Sequence, residues 1–171
     1  MDANVIIISG FRGVGKTSLV HRLSKELKKR GIRCGGVLSL GQDTRYFFRI
    51  QDQATVPFEE PGEPNPVRVG KFAIAQSALE FASDAIRYGA TQEVLLIDEI
   101  GTLENQRKGL FNATAATLAS PNRVTFLVVR QDVLSHIESL FGIQYDHCFI
   151  IEHWNWEKLI QPLINTVIDA I

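Results

Sequence analysis

A strand, a glycine-rich loop and a helix follow one another at the start of the chain, and this order constrains the fold more than any other feature. Residues 5–8 read Val-Ile-Ile-Ile, and residues 10–17 read Gly-Phe-Arg-Gly-Val-Gly-Lys-Thr. The second segment has the spacing of a phosphate-binding loop, which is Gly, four residues, and then Gly-Lys-Thr. Because such a loop joins the end of a strand to the start of a helix, the sequence predicts a strand over 4–9 and a helix from about Lys16 to Gly31.

Each part of this loop has a chemical reason. Glycines permit a tight turn whose backbone N–H groups point at phosphate oxygens, and the helix that follows adds the positive end of its dipole. We expect Lys16 to reach the β- and γ-phosphates as a catalytic group, and Thr17 to place its hydroxyl on Mg²⁺. The predicted nucleotide-binding residues in this segment are Gly10, Phe11, Arg12, Gly13, Val14, Gly15, Lys16, Thr17 and Ser18.

Length, charge and cysteine content limit the remaining classes. The chain has 171 residues, of which 45% are hydrophobic, so we expect one domain over 1–171 with a buried core. Its net charge of −1 argues against a nucleic-acid partner. The apolar runs are too short to span a membrane and the N-terminus lacks a signal-peptide pattern, so we expect a cytoplasmic protein. Cys34 and Cys148 are too few for a disulfide framework, and both are expected to be buried thiols.

Short apolar runs alternate with amphipathic segments along the rest of the chain. This alternation is typical of a mostly parallel sheet with helices on both faces, and it predicts a three-layer α/β fold of the P-loop type. A β-rich excursion is expected around 33–69, and its Pro-rich, acidic segment 59–66 predicts an exposed loop that could act as a mobile flap. The further predicted elements are helices near 75–88, 106–118, 131–141 and 155–170 and strands near 93–98, 123–129 and 148–151.

Two acids end the predicted strand at 93–98. Residues 94–99 read Val-Leu-Leu-Ile-Asp-Glu, and ligands of open α/β sheets bind outside the carboxyl ends of the strands. Asp98 is therefore predicted to hold the magnesium shell, usually through a water. Glu99 is predicted to orient or deprotonate the attacking water as a catalytic carboxylate.

Three segments together resemble the small nucleoside-triphosphatase family typified by thermophile enzymes, which also has an animal branch. They are residues 10–17, residues 69–72 (Val-Gly-Lys-Phe) and residues 97–104 (Ile-Asp-Glu-Ile-Gly-Thr-Leu-Glu). The resemblance covers nearly the whole chain and implies a P-loop α/β fold with slow, magnesium-dependent hydrolysis of several nucleoside triphosphates, ATP and GTP among them. It also implies that Glu99 is the catalytic carboxylate. Glu104 is left as either an acid that supports the site or an acid at the start of a helix.

The chain departs from the family pattern at a few positions that concern the base more than the phosphates. Leu103 stands where the family usually has Met, and Phe47 where it tends to have Gly. Trp156 follows Asn155 and stands where the family has Arg. Trp156 is predicted either to stack on the nucleotide base or to pack against the last helix, and Asn155 is predicted to cap that helix with its side-chain oxygen.

Two questions stay open on the sequence alone. The first is which arginine stabilises the charge of the transition state, and the candidates are Arg12, Arg45, Arg123 and Arg130, with Arg12 and Arg130 preferred. The second is the class of function. A hydrolase of Mg²⁺-bound nucleoside triphosphate leads, a kinase that activates an acceptor hydroxyl is second, and a nucleotide-dependent switch or assembly factor is third. The sequence identifies no protein partner.

Overall fold

The computed structural model describes residues 4–119, 124–153 and 155–171. The strands are β1 (Asn4–Gly10), β2 (Cys34–Leu40), β3 (Tyr46–Arg49), β4 (Thr55–Pro57), β5 (Val67–Val69), β6 (Phe72–Ile74), β7 (Val94–Ile100), β8 (Val124–Arg130) and β9 (His147–Ile150). The helices are α1 (Lys16–Lys29), α2 (Gln76–Gly89), α3 (Thr102–Asn105), α4 (Phe111–Leu118), α5 (Gln131–Leu134), α6 (Ile137–Phe141) and α7 (Trp156–Ala170).

A seven-stranded sheet with the order β4-β3-β2-β7-β8-β1-β9 forms the centre of the fold. Strands β2, β7, β8, β1 and β9 are paired in parallel, whereas β3 and β4 add an antiparallel edge. The β-rich excursion predicted around 33–69 thus contributes β2, β3 and β4 to the main sheet. Strand β5 pairs with β6, just beyond that range, as a separate two-stranded sheet.

Each face of the main sheet carries its own hydrophobic core, because successive side chains of a strand point to opposite faces. In β1, Val5 and Ile7 belong to the core shared with α2 and α4, and Ile6 and Ile8 belong to the core shared with α1 and α7. All four side chains are at most 2% exposed. Burial on both faces explains why this strand reads as a continuous apolar run rather than an alternating one.

Two segments predicted as single helices are not continuous helices. The helix predicted near 106–118 begins only at Phe111 as α4, because α3 ends before this range and a loop follows it in which Arg107 and Gly109 have φ of 58° and 62°. A right-handed helix cannot pass through this left-handed backbone, so the helix stops and restarts. In place of a helix over 131–141, α5 ends in a turn in which the His136 N–H donates to the Val133 carbonyl, and α6 begins after it.

The acidic loop over 59–66 is exposed as expected, but it is tied to its surroundings. Glu59 Oε1 accepts the Ala73 N–H at 2.9 Å, and Glu63 Oε1 accepts the Ser77 N–H at 2.7 Å. These bonds join the loop to β6 and to the first turn of α2, and they argue against a mobile flap.

The two cysteines lie in different environments. Cys34 is buried in β2, but Cys148 is exposed on β9, so the expectation of two buried thiols is wrong for Cys148. Among the described residues, β9 is the last strand of the sheet, and most of its side chains are exposed. In the part of the chain that the structure describes, no helix is both long and apolar enough to cross a membrane.

Candidate active site

The glycine-rich loop connects the end of β1 to the start of α1 at the carboxyl edge of the parallel strands. Gly10 has a φ of 154°, and a Cβ placed on it would lie 2.5 Å from the Ile151 carbonyl oxygen, so a side chain cannot fit there. Gly15 directly precedes α1 in the left-handed region with a φ of 104°. The loop projects outward, since Phe11 is 70% exposed, and Arg12 and Gly13 beside it are exposed as well.

The remaining predicted loop residues differ in burial. Val14 is half-buried and packs against the core under α1. Ser18 is exposed in the first turn of α1. The predicted residues thus form one segment that runs from the end of β1 through the loop into the first turn of α1.

Lys16 lies inside the curve of this loop. Its side chain is almost fully buried, and Nζ donates hydrogen bonds to the carbonyls of Gly10 at 2.9 Å and Phe11 at 2.8 Å. An ammonium group has three N–H donors, so one remains for a ligand. Burial lowers the pKa of Lys16, whereas the nearby carboxylates of Glu99 and Asp98 act to raise it. The structure thus brings the predicted lysine and both predicted acids together.

A direct contact joins the loop to β7. Thr17 Oγ1 donates to Asp98 Oδ2 at 2.8 Å, and the Ser39 N–H donates to the same oxygen at 3.3 Å. The other oxygen of Asp98, Oδ1, is buried and has no hydrogen-bond partner. Burial, together with the neighbouring Glu99 carboxylate, raises the pKa of Asp98.

These oxygens fit a magnesium site. A hydroxyl and a buried carboxylate with one unpartnered oxygen are hard donors of the kind that Mg²⁺ takes, with waters and phosphates completing its shell. Among residues 4–119, 124–153 and 155–171 there is no group of three or more His, Cys, Asp or Glu side chains that could hold a metal without such help.

Ser39 is a site residue that the sequence analysis missed. It lies near the end of β2, next to β7, and its hydroxyl donates to the Asp98 carbonyl at 2.9 Å. Together with its N–H bond to the carboxylate, this fixes the backbone and the side chain of Asp98. The available signal was a polar residue near the end of an apolar strand, but the pairing of β2 with β7 was needed to interpret it.

Glu99 follows Asp98 inside the strand rather than after it. The pairing of β7 with β8 shifts register between Asp98 and Ile100, so Glu99 has no partner there. Its side chain is half-buried. The Glu99 carboxylate and the Arg130 side chain both lie beside Gly101, because a Cβ on that glycine would be 3.7 Å from Glu99 Oε1 and 2.9 Å from Arg130 Cδ.

Glu104 is the acid at the start of α3. Oε2 accepts the Gly101 N–H and Oε1 accepts the Leu110 N–H, both at 3.0 Å, and the carboxylate is buried. Burial raises its pKa, and the two backbone bonds oppose that shift. Of the two interpretations left open by the sequence, the contacts of Glu104 fit an acid at the start of a helix. It also closes the loop between α3 and α4, where a Cβ on Gly109 would lie 2.5 Å from Oε1.

Trp156 lies against the phosphate loop. A Cβ on Gly15 would be 2.9 Å from its Cδ1, and the ring is only partly buried against the core under α1 and α7. Asn155 is at the N-cap position of α7, but its side chain does not cap that helix. Its Oδ1 accepts the Glu152 N–H at 3.0 Å, so the predicted cap is wrong, and the side chain closes the preceding turn instead.

The four candidate arginines have different positions. Arg12 is exposed on the loop and Arg130 ends β8 beside Glu99. The Arg45 guanidinium is 5.2 Å from the Phe58 ring centre and donates to the Ser39 carbonyl at 3.4 Å. Arg123 lies outside the described residues.

Comparison with known proteins gives a consistent result. A profile of the NTPase family matches residues 5–164. A nucleoside-triphosphatase THEP1 of Methanosarcina barkeri is 29% identical over 73% of this chain and 76% of its own length. The human cancer-related nucleoside-triphosphatase is 25% identical over 96% and 97%.

Structural similarity agrees with these matches. The crystal structure of THEP1 from Aquifex aeolicus superimposes with a TM-score of 0.62 at 21% identity, covering 95% of this chain and 98% of that one. This likeness confirms the predicted three-layer α/β P-loop fold. The chain belongs to the NTPase family, whose members are nucleoside-triphosphatases.

Proposed function

We propose that this protein hydrolyses Mg²⁺-bound nucleoside triphosphates to the diphosphate and phosphate, with the attacking water positioned by Glu99. One observation carries the proposal. The 2.8 Å hydrogen bond from Thr17 to Asp98 joins the phosphate loop to β7, so the predicted phosphate-binding and water-positioning groups lie on one edge of the sheet. In such folds that edge is where ligands bind.

Separate groups would bind the phosphates, hold magnesium and activate the water. The loop N–H groups and the remaining N–H of Lys16 bind the β- and γ-phosphate oxygens. Thr17 and Asp98 would hold magnesium, which neutralises charge on those oxygens when it is bound. Glu99 is more exposed than Asp98 and has no strand partner at its position. Its carboxylate is therefore available to accept a hydrogen bond, and then a proton, from a water in line with the γ-phosphate.

The test is Glu99→Gln in single-turnover hydrolysis of ATP. We expect triphosphate binding close to that of the parent and a rate lower by about a hundredfold or more, the usual scale for a positioned general base. Asp98→Asn should in addition raise the magnesium concentration that is needed. Glu80→Gln on the exposed face of α2 is the matched control and should keep the parental rate. A parental rate in Glu99→Gln would exclude the water-positioning role.

The kinase and the switch remain the alternative functions, and a second assay separates the kinase. Phosphate release is measured with ATP, GTP, CTP and UTP, with and without candidate acceptors. Release without an acceptor supports the hydrolase, and product that forms only with an acceptor supports the kinase. The same experiment gives the base preference.

The base is proposed to stack on Trp156. The ring lies against Gly15 and is only partly buried, and stacking on a π face tolerates any base. We expect nucleotide to quench the tryptophan fluorescence, and Trp156→Ala to weaken ATP and GTP binding by roughly 1–3 kcal/mol. Trp156→Phe, which keeps an aromatic face, should lose less. If nucleotide still quenches the fluorescence of Trp156→Ala and binds it with the affinity of the parent, the Trp156 ring serves only to pack α7.

A further inference from the structure

The strand order brings Arg130 between the two halves of the site. β8 lies between β1 and β7, and Arg130 is paired with Gly10, where the phosphate loop begins. On its other side, the preceding residue Val129 is paired with Ile100, next to Glu99. No other candidate arginine in the described ranges ends a strand that adjoins both β1 and β7.

Three hydrogen bonds orient the Arg130 guanidinium, in a side chain that is 44% exposed. Nε and Nη2 donate to the two carboxylate oxygens of Asp132, both at 3.0 Å, and Nη1 donates to Thr102 Oγ1 at 3.1 Å. A guanidinium has five N–H donors, so one on Nη1 and one on Nη2 remain after these three bonds. Arg130 can therefore bind a phosphate oxygen without leaving Asp132.

The surroundings of Arg130 direct it toward the reacting groups. Its Cδ occupies the space that a side chain at Gly101 would need, on the same side of that glycine as Glu99 Oε1. Lys16 Nζ donates to the carbonyl of Gly10, and Gly10 is the strand partner of Arg130, so the two cations lie at the same end of adjacent strands. Glu99 lies beside Arg130, and Asp98 is bound to Thr17, the residue after Lys16. Two cations and two carboxylates therefore lie around the phosphate loop.

The other arginines are placed less well for this task. The Arg45 guanidinium lies over the Phe58 and Phe72 rings, at 5.2 and 5.9 Å. It donates to the Ser39 carbonyl in β2, and the strand that follows Arg45, β3, adjoins neither β1 nor β7. Arg12 is exposed at the outer side of the loop, and in the described part of the chain its guanidinium forms no hydrogen bond that would orient it.

We infer that Arg130 is the arginine that binds the γ-phosphate and stabilises the charge of the transition state, and that Asp132 and Thr102 are its positioning residues. This assignment rests on the proposed hydrolysis. Since the guanidinium is already oriented, little reorganisation is needed when charge develops on the phosphoryl oxygens. The same geometry makes Asp132 important, although it does not reach the substrate.

The experiment compares the affinity for Mg²⁺–ADP with that for Mg²⁺–ADP plus aluminium fluoride, which imitates the transferring phosphoryl group. In Arg130→Ala we expect ADP affinity within about threefold of the parent. We expect the fluoride-dependent tightening and the single-turnover rate to fall together by on the order of 10³, the lower end for an arginine in this role. Arg130→Lys keeps the positive charge but loses the planar guanidinium. Its fluoride-dependent tightening and its rate should therefore lie between those of the parent and of Arg130→Ala. Asp132→Asn should lose about tenfold in rate at unchanged ADP affinity.

The matched control is a second arginine with the same pairing elsewhere in the fold. Arg49 donates through Nε and Nη2 to both oxygens of Asp52, and it lies on β3, away from the loop. Arg49→Ala and Asp52→Asn should change the melting temperature only. Equal losses of ADP and fluoride-complex affinity in Arg130→Ala, or unchanged tightening, would overturn the assignment. If the parent itself shows neither fluoride-dependent tightening nor phosphate release, the proposed hydrolysis fails and the assignment fails with it.

Discussion

Removal of the Glu104 carboxylate should destabilise the protein by an amount that the structure lets us estimate. Glu104→Ala leaves the N–H groups of Gly101 and Leu110 without their acceptors in a buried position. An unsatisfied buried donor costs about 1–3 kcal/mol, so the two together cost about 2–6 kcal/mol. Because burial already raises the pKa of this carboxyl, its removal also relieves a desolvation cost. We therefore expect a loss near the lower end of that range, about 2–3 kcal/mol.

Urea unfolding at neutral pH measures this loss directly. Glu104→Gln keeps one acceptor oxygen but turns an NH₂ group toward the other donor, so it should lose about half as much. Glu80→Gln, on the exposed face of α2, should stay within about 0.5 kcal/mol of the parent. If Glu104→Ala also stays within that range, the carboxylate is not the buried acceptor that closes the loop after α3.

The pH dependence gives a second check on the same residue. A raised pKa in the folded state means that the folded protein keeps this proton at pH values where the unfolded chain has lost it. The stability contributed by Glu104 is therefore fully present at low pH and falls as the pH rises from the ordinary glutamate pKa through the raised one. The advantage of the parent over Glu104→Gln should be larger at acidic than at neutral pH.

Three further predictions follow from the loop and the cysteines. Lys16→Ala should abolish turnover but leave weak diphosphate binding in isothermal titration, and full turnover at parental ATP affinity would contradict the loop assignment. Gly15→Ala should cost about 2 kcal/mol or more in urea unfolding, because its φ is 104° and its Cβ would lie 2.9 Å from Trp156 Cδ1. Part of that cost should disappear in a Trp156→Ala background, and an equal cost in both backgrounds would argue against the ring contact. Maleimide should label exposed Cys148 in the folded protein but not Cys34, where burial raises the pKa to about 12, and mass spectrometry would reveal a second label if this is wrong.

The sequence by itself predicted those parts of the candidate site whose residues are neighbours in the chain. A phosphate loop needs its glycines, lysine and threonine at fixed spacing, since one turn of backbone and one helix start form the whole anion site. The same holds for Asp98 and Glu99, because acids near the carboxyl end of an apolar strand lie at the ligand-binding edge of the sheet. The alternation of strands and helices was sufficient for the fold class for a similar reason, as hydrophobic periodicity is a local property.

Only the tertiary structure decided which distant residues join these two segments. Ser39 reaches Asp98 because β2 pairs with β7, and Arg130 lies beside the loop because β8 is inserted between β1 and β7. Trp156 rests on Gly15 through the packing of α7, and Glu104 closes its loop because Arg107 and Gly109 take left-handed backbone conformations. Strand order and helix packing depend on contacts between residues far apart in the chain, and no local pattern of spacing or periodicity contains them.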